Sequence, residues 1–528
     1  MPTILDYKSL KLNTVGGCLA ESTERNPNGL AVVDNIRRLT YSELLVEAQA
    51  FAAGLLRLGV QKGDRVAVCL PNWHEFIISY FAIGLVGAVI IPLNIRYKPR
   101  EVEYVLDNAG VAAVITAQTF GSYGLMDMYL ELKPALSNFT NLIVVRATGA
   151  IPQGVAVFEE VIRTNQGAPL PTPLIKPEED LFAILYTSGT TGAPKGAMLT
   201  HRNLVHTSVT GAEIIESSPK DVYLIPVPIF HIFGMGPSIL TAISSGAGLV
   251  LLEGYKPEAA LELIQREKVT VHHGVPTMFI MELNHPDFDK YDLSSLRTGI
   301  IGGAPCPIET VKAIRTRMGC NICISYGLTE TSPILTATRL DDDDIDIAET
   351  VGRAAPGVEI KIVDNQGQTL GSNEVGEIVA RSRGVMKGYF GKPVETAEAL
   401  SADGWFSTGD LGTIDDRGFI RIVGRKKEMI IRGGYNIYPR EVEEVLYLHP
   451  VVLEVAVIGI PDPVMGERTY ACIKLKPGAA ANEAEIQAFS KTQLANYKVP
   501  DRVVFIQEFP TTASGKIRKL DLKELVAN

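Results

Sequence analysis

Tyr186-Thr-Ser-Gly-Thr-Thr-Gly-Ala-Pro-Lys-Gly196 is the stretch from which the rest of the chain can be placed. An apolar run of strand length, Leu181 to Leu185, precedes it, and Ala197 to Leu199 is apolar again. Thr200 then stands where a helix N-cap belongs. The pattern predicts a loop between two short strands. Its three glycines allow close approach of the backbone to a ligand. Three threonines, one serine and free N–H groups can donate to anionic oxygens, Lys195 adds a positive charge, and nothing in the stretch is acidic. A polyphosphate suits such a loop; a flexible surface hairpin is the plainer reading of the same composition. The Walker pattern does not fit. Counted from Gly189, its second glycine would fall on Pro194, and Lys195 is followed by Gly196 rather than by a hydroxyl residue.

The 528 residues are 46% hydrophobic and 21% charged, an ordinary globular balance with length for more than one domain. A net charge of −10 argues against a nucleic-acid partner, which requires a basic face. Asp341 to Asp344 reads as a solvated loop, with a cation site as the alternative. Cys320 and Cys323 have no second pair or histidine at zinc-like spacing, and their apolar surroundings predict buried strand residues. No disulfide framework is visible, which fits a reducing compartment. The N-terminus lacks the charged and apolar regions of a signal peptide. Two long uncharged runs, Phe76–Leu93 and Val222–Leu252, are broken by Gly84, Gly87 and Pro92, and by Pro226, Pro228 and Pro237. They read as buried core, so no transmembrane segment is expected, and a soluble, cytoplasmic protein is.

Up to about residue 180, helical and strand-like patterns alternate. Tyr41–Leu58, Glu75–Leu85 and Arg100–Ala109 read as helices; Arg65–Leu70, Ala88–Leu93 and Ala112–Ile115 read as strands. That alternation predicts a layered α/β fold. The final hundred or so residues read as a small α+β unit. Its helices are Pro439–Leu446 and Glu483–Leu494; its strands are Val451–Ile460, Tyr470–Leu475 and Arg502–Phe505.

Further strings carry chemistry. In Pro226-Val-Pro-Ile-Phe-His-Ile-Phe-Gly-Met-Gly236, His231 taken alone is a core histidine. Gly302 and Gly303 end a strand beginning at Thr298 and can lie flat against a ring or an acyl chain, or simply turn the chain. In Ser325-Tyr-Gly-Leu-Thr-Glu-Thr-Ser-Pro333, Tyr326 offers a face to a purine and Thr329 a hydroxyl to an α-phosphate. Glu330 offers a hard oxygen to magnesium that also holds phosphates. Asp410, in Ser407-Thr-Gly-Asp-Leu411, can accept both ribose hydroxyls or cap a turn. The basic run from Gly424 to Arg440 reads as a hairpin with a Gly433-Gly434 turn, and Pro510–Lys519 as a charged tail.

Together these strings resemble the adenylate-forming superfamily, in particular its acyl-CoA synthetases, from the first helices to Lys516. The resemblance implies a large N-terminal adenylating domain of layered sheets over 1–424, a hinge at 425–427 centred on Lys427, and a small mobile α+β domain over 428–528. It implies that ATP is held by Thr187, Ser188, Gly189, Thr190, Thr191, Gly192 and Lys195 of the loop, with Gly303, Ala304, Ser325, Tyr326, Gly327 and Thr329 around the base and α-phosphate. Asp410 and Arg425 take the ribose. Magnesium falls to Glu330 and Thr190, and Lys516 is the catalytic lysine, with Lys519 its nearest rival. His231 gates an acyl pocket lined by Met235, Gly236, Gly302, Gly303, Ala304, Gly327, Ser332 and Pro333. The catalytic set is thus Lys516, Glu330, Thr190 and His231, and Gly433, Gly434 and Tyr435 receive coenzyme A.

The implied reaction joins a monocarboxylic, fatty acid to CoA through acyl-AMP, with a cyclic or aromatic acid as the alternative. Its partners are the acid, ATP and CoA; a homodimer is left open. At position 231 peptide-synthetase adenylation domains usually carry a carboxylate, and none stands here, which disfavours amino acids. Such a module also needs a carrier domain, and twelve residues follow Lys516. A luciferase-like oxygenase would share every string.

Overall fold

The computed structural model describes residues 13–171, 173–187, 194–511 and 517–527. Ser188, Gly189, Thr190, Thr191, Gly192 and Lys516 lie outside them. By internal contacts the chain forms two compact units, Met1–Glu359 with Arg381–Gly404, and Ile360–Ala380 with Trp405–Asn528. Strand pairing accounts for the second grouping: Gly376–Ser382 pairs antiparallel with Phe406–Ile414, which pairs in turn with Ile420–Arg425. Lys427, where the sequence led us to expect a hinge, falls within the second unit.

In the first unit the strand Leu181–Thr187 turns back on Lys195–Thr200, with Thr187 opposite Lys195. Among the described residues this hairpin belongs to an eight-stranded sheet. Next to it run the parallel strands Val89–Pro92, Arg65–Cys69, Ala113–Ala117 and Asn141–Val145. Their side chains read as continuous apolar runs because both faces are covered; Val66, Ala67, Val68, Ile90 and Ile91 have no exposed surface. Each of these valine and isoleucine side chains contributes about 1.5–3 kcal/mol by leaving water. A second sheet, nine-stranded among the described residues, has a parallel centre of Leu30–Val33, Gly248–Leu251, Val222–Ile225, Val271–His272, Thr298–Ile301 and Asn321–Tyr326.

The two uncharged runs are interior. His74–Val86 is a helix buried at every position but Leu85; Gly87, at φ 72°, ends it and Val89–Pro92 follows as a strand. The other run is divided among strand Val222–Ile225, a buried π-helix Gly234–Leu240 that contains Pro237, helix Thr241–Ser245 and strand Gly248–Leu251. Among the described residues no helix is long and apolar enough to cross a membrane. Helix starts follow the sequence closely. Thr40 accepts from the Glu43 N–H while Glu43 accepts from the Thr40 N–H, and Thr200 and Asn203 do the same for helix His201–Ile214.

The second unit packs helices Pro439–Tyr447 and Glu483–Gln493 on a sheet whose longest strands are Val452–Asp462 and Gly466–Leu475. Ile437, Val442, Leu446, Val457, Ile473 and Ile486 form its core. Of Asp341–Asp344, Asp341 is exposed as expected of a solvated loop, while Asp343 caps helix Asp344–Glu349, Asp344 pairs with Arg315, and Asp342 pairs with Arg353.

Candidate active site

The hairpin sets the base of the candidate site. Thr187 donates its hydroxyl to the Lys195 carbonyl at 3.3 Å, tying the two ends of the loop together. Tyr104 donates to the Pro194 carbonyl at 3.1 Å, and Tyr186 to Asn108 Oδ1 at 2.6 Å. A cavity of about 30 Å³ opens beside these residues. Leu185 and Tyr186 line it from the hairpin, Phe230, His231 and Ile232 from the loop before the π-helix, and Thr329 from the next string. Three separately read strings thus meet at one cavity.

The Ser325–Pro333 segment turns sharply. A Cβ at Gly327 would lie 1.5 Å from the Pro333 carbonyl oxygen, so no other residue fits that backbone. Thr329–Thr331 is a single 3₁₀ turn closed by Ser332 in the left-handed region, at φ 64°. Backbone strain of this kind costs roughly 1–3 kcal/mol and collects at functional sites. Tyr326 ends its strand half-buried, and Ser325 is taken up by a bond to the Thr336 carbonyl. Glu330 is 9% exposed. Its Oε1 accepts from the hydroxyl of Tyr389 at 2.9 Å.

Tyr389 is a site residue that sequence reasoning missed. Its contact with Glu330 spans 59 positions, which no local pattern reveals.

Around the expected acyl pocket, Met235 and Gly236 are buried within the π-helix. A Cβ on Gly236 would lie 3.5 Å from the Ser332 carbonyl oxygen and 3.9 Å from Pro333 Cδ. One on Gly302 would lie 3.6 Å from the Ser325 carbonyl oxygen and 3.9 Å from the Phe233 ring. Gly236 therefore lies against Ser332 and Pro333, and Gly302 against Ser325 and Phe233. Gly303 and Ala304 are exposed beyond the strand end.

In the second unit Asp410 and Arg425 stand directly opposite each other on paired strands. Arg425 Nε is 3.1 Å from Asp410 Oδ1, and Asp410 is 5% exposed. Lys427 is exposed in the turn that follows. Gly433 and Gly434, at φ 58° and 83°, form a two-residue hairpin turn between Ile430–Arg432 and Tyr435–Ile437. Exposed Tyr435 stacks on Tyr497 with ring centroids 4.7 Å apart. Lys519, the rival to Lys516, is held between Glu443 and Glu428.

The chemistry around Glu330 fits a magnesium ion. Its carboxylate is a hard donor with one oxygen engaged by Tyr389, and among the described residues the other makes no hydrogen bond. One carboxylate with ligand phosphates and water is the usual way this ion is held. A different trio, Asp34, His74 and Glu75, has its oxygen and nitrogen atoms within 4.8 Å of one another. Arg146 already supplies a cation there, bonded to Asp34 and doubly to Glu75.

A glycine-hydroxyl hairpin, a strained turn carrying a buried carboxylate and an Asp–Arg pair on adjacent strands define an α/β enzyme of the adenylate-forming class. The chain belongs to the AMP-binding enzyme family, whose pattern matches residues 19–390, with the AMP-binding enzyme C-terminal domain matching 441–516. It is 40% identical to YngI of Bacillus subtilis (strain 168), an acyl-CoA synthetase by name, across 97% of both chains. It is 36% identical to the human mitochondrial medium-chain acyl-CoA ligase ACSF2, across 98% of this chain and 88% of that one. The crystal structure of the anthranilate CoA ligase AuaEII with anthranoyl-AMP superposes with a TM-score of 0.89 at 28% identity, over 97% and 98% of the two chains.

Proposed function

We propose that this protein joins a monocarboxylic fatty acid to coenzyme A by way of an acyl adenylate. It is an AMP-forming acid–CoA ligase; the relatives it matches along nearly its whole length are an acyl-CoA synthetase and a medium-chain acyl-CoA ligase by name. In the first half-reaction a carboxylate oxygen attacks the α-phosphorus of ATP, the bond to the β-phosphate oxygen breaks, and pyrophosphate leaves. In the second, the CoA sulfur attacks the acyl carbonyl, the thiol proton is lost, and AMP leaves. The meeting of Tyr186, His231 and Thr329 at one cavity carries this reading. On this reading the phosphate hairpin, the acyl gate and the α-phosphate hydroxyl serve one reacting centre.

Each residue's task follows from its chemistry. Lys195 and the loop hydroxyls bind the β- and γ-phosphates; Thr329 orients the α-phosphate; Tyr326 stacks on adenine. Asp410 accepts the ribose hydroxyls, and Arg425 holds that carboxylate in place. Glu330 and Thr190 would hold a magnesium ion, which when bound would supply positive charge to the triphosphate. Two anions must approach each other, and at an effective dielectric of about 20 two unit charges roughly 4 Å apart interact by roughly 4 kcal/mol. Lys516 offsets a term of that size. Gly433 and Gly434 then admit the pantetheine arm, with Lys427 the pivot between the two tasks. The protein acts in the cytoplasm.

Among the described residues, the cavity lining contains no lysine or arginine, which suits an acid without a second carboxylate. An aromatic acid is the second reading, favoured by the likeness to an anthranilate CoA ligase. CoA-dependent AMP release across acids graded by chain length and ring content separates the two. Straight-chain acids are expected to give the highest kcat/KM; a preference for benzoate-type acids overturns the fatty-acid assignment.

A further inference from the structure

Glu330 and Lys195 carry opposite charges, and both touch Tyr389. The phenol donates to Glu330 Oε1 at 2.9 Å, and Lys195 Nζ lies 5.2 Å from the ring centroid. The tyrosine is itself held firmly. Its strand, Gly388–Tyr389, pairs with Ala197 and Met198 on the strand leaving the phosphate loop. The Lys387 N–H donates to the Met198 carbonyl at 2.9 Å, the Phe390 N–H to the Gly196 carbonyl at 2.8 Å, and the Met386 N–H to the Glu330 carbonyl at 2.7 Å. The Tyr389 N–H is taken by Thr396 Oγ1 at 2.9 Å. One short segment, Met386–Phe390, therefore ties the loop exit to the Glu330 turn.

An ammonium and a carboxylate that share a neighbour tend to pair, and a paired charge is less available to a ligand. Among the described residues no carboxylate lies within ion-pair distance of Lys195. Tyr389 gives each charge a neutral partner instead, a π face for the ammonium and a hydroxyl for one carboxylate oxygen. Both charges stay whole, and Glu330 Oε2 stays open.

We propose that Tyr389 is a positioning residue for adenylation, aiming Glu330 Oε2 at the metal–triphosphate and holding Lys195 away from that carboxylate. The inference rests on the reading of Glu330 and Lys195 given above.

The test compares wild type, Tyr389→Phe and Tyr389→Leu in pyrophosphate–ATP exchange over a magnesium titration, alongside calorimetric binding of ATP with and without magnesium. Tyr389→Phe keeps the ring and loses the hydroxyl. It should raise the magnesium concentration for half-maximal exchange about tenfold, the loss of one hydrogen bond to a charged group, and leave metal-free ATP binding unchanged. Tyr389→Leu should also weaken metal-free ATP binding, because Lys195 is released toward Glu330. In a Glu330→Gln background Tyr389→Phe should add nothing to the magnesium requirement, whereas a merely structural tyrosine gives additive losses. An unchanged magnesium requirement in Tyr389→Phe, or additivity in the double variant, overturns the proposal while leaving the ligase reading intact. Wild-type protein that exchanges no pyrophosphate with any acid defeats the ligase reading itself.

Discussion

Lys519 Nζ lies 2.8 Å from Glu443 Oε1, and Glu428 closes the other side at 3.1 Å. Three positions after Lys516 in sequence, this lysine is committed to structure. Burial alone would lower its pKa, but Glu443 and Glu428 outweigh burial and raise it above its ordinary value. Lys519→Met should destabilise the second unit by about 1–3 kcal/mol, between the exposed and buried limits for ion pairs. A folded pKa above the unfolded value of 10.5 means the stabilisation is full below pH 10.5 and lost as pH rises through the folded value. Chemical denaturation of both proteins at pH 8 and at pH 11 checks this: the gap between them should narrow at the higher pH.

Two buried histidines, His201 and His273, and the half-buried His206 predict acid sensitivity. Burial lowers His201 and His206 to about 4 and His273 to about 3. All three stay neutral when folded, while the unfolded chain binds protons near pH 6.5. Unfolding therefore takes up protons below that pH, and stability falls as pH drops from 6.5 toward 4 by up to about 1.4 kcal/mol per pH unit per histidine. Tm should be nearly flat above pH 7 and decline steeply below 6.5. His206→Gln should make the decline shallower; an unaltered slope would count against this assignment.

Gly327→Ala tests the turn that carries Thr329 and Glu330. The added methyl meets the Pro333 carbonyl oxygen at 1.5 Å, so the backbone must move. A displacement of this order typically costs about a hundredfold in rate. Adenylation should fall by that factor, with circular dichroism and the thermal transition showing a folded chain. Wild-type activity would mean the turn does not set the reacting geometry.

Asp410→Asn removes the charge that faces Arg425 without altering shape. Hydrogen bonds to a charged group are worth roughly 1.5–3 kcal/mol, so KM for ATP should rise about tenfold or more. KM for the acid should stay within a factor of about two. An equal rise in both constants would indicate general damage rather than loss of a ribose contact.

How much of this was legible in the sequence depended on how locally each feature is specified. Thr40 and Thr200 marked helix starts because a cap is a contact across three residues. Gly87 and the Gly433-Gly434 turn showed themselves because left-handed backbone favours glycine. The pairing of Asp410 with Arg425 was readable through the family resemblance, although fifteen positions separate them. Tyr389 was not. Its meaning lies in a contact 59 positions away, and Gly-Tyr-Phe in a short strand carries no periodic or motif signal. The grouping of Ile360–Ala380 with the C-terminal residues was hidden for the same reason, since strand pairing over long separations leaves no mark in local composition.

Acid-dependent exchange of labelled pyrophosphate into ATP, without CoA, is the most direct measurement of acyl-adenylate formation. A fatty acid should drive the exchange in wild type. Lys516→Ala should reduce it about a hundredfold or more while still passing the acyl group of supplied acyl-AMP to CoA. Wild-type enzyme that exchanges no label with any monocarboxylic acid would contradict acyl adenylation.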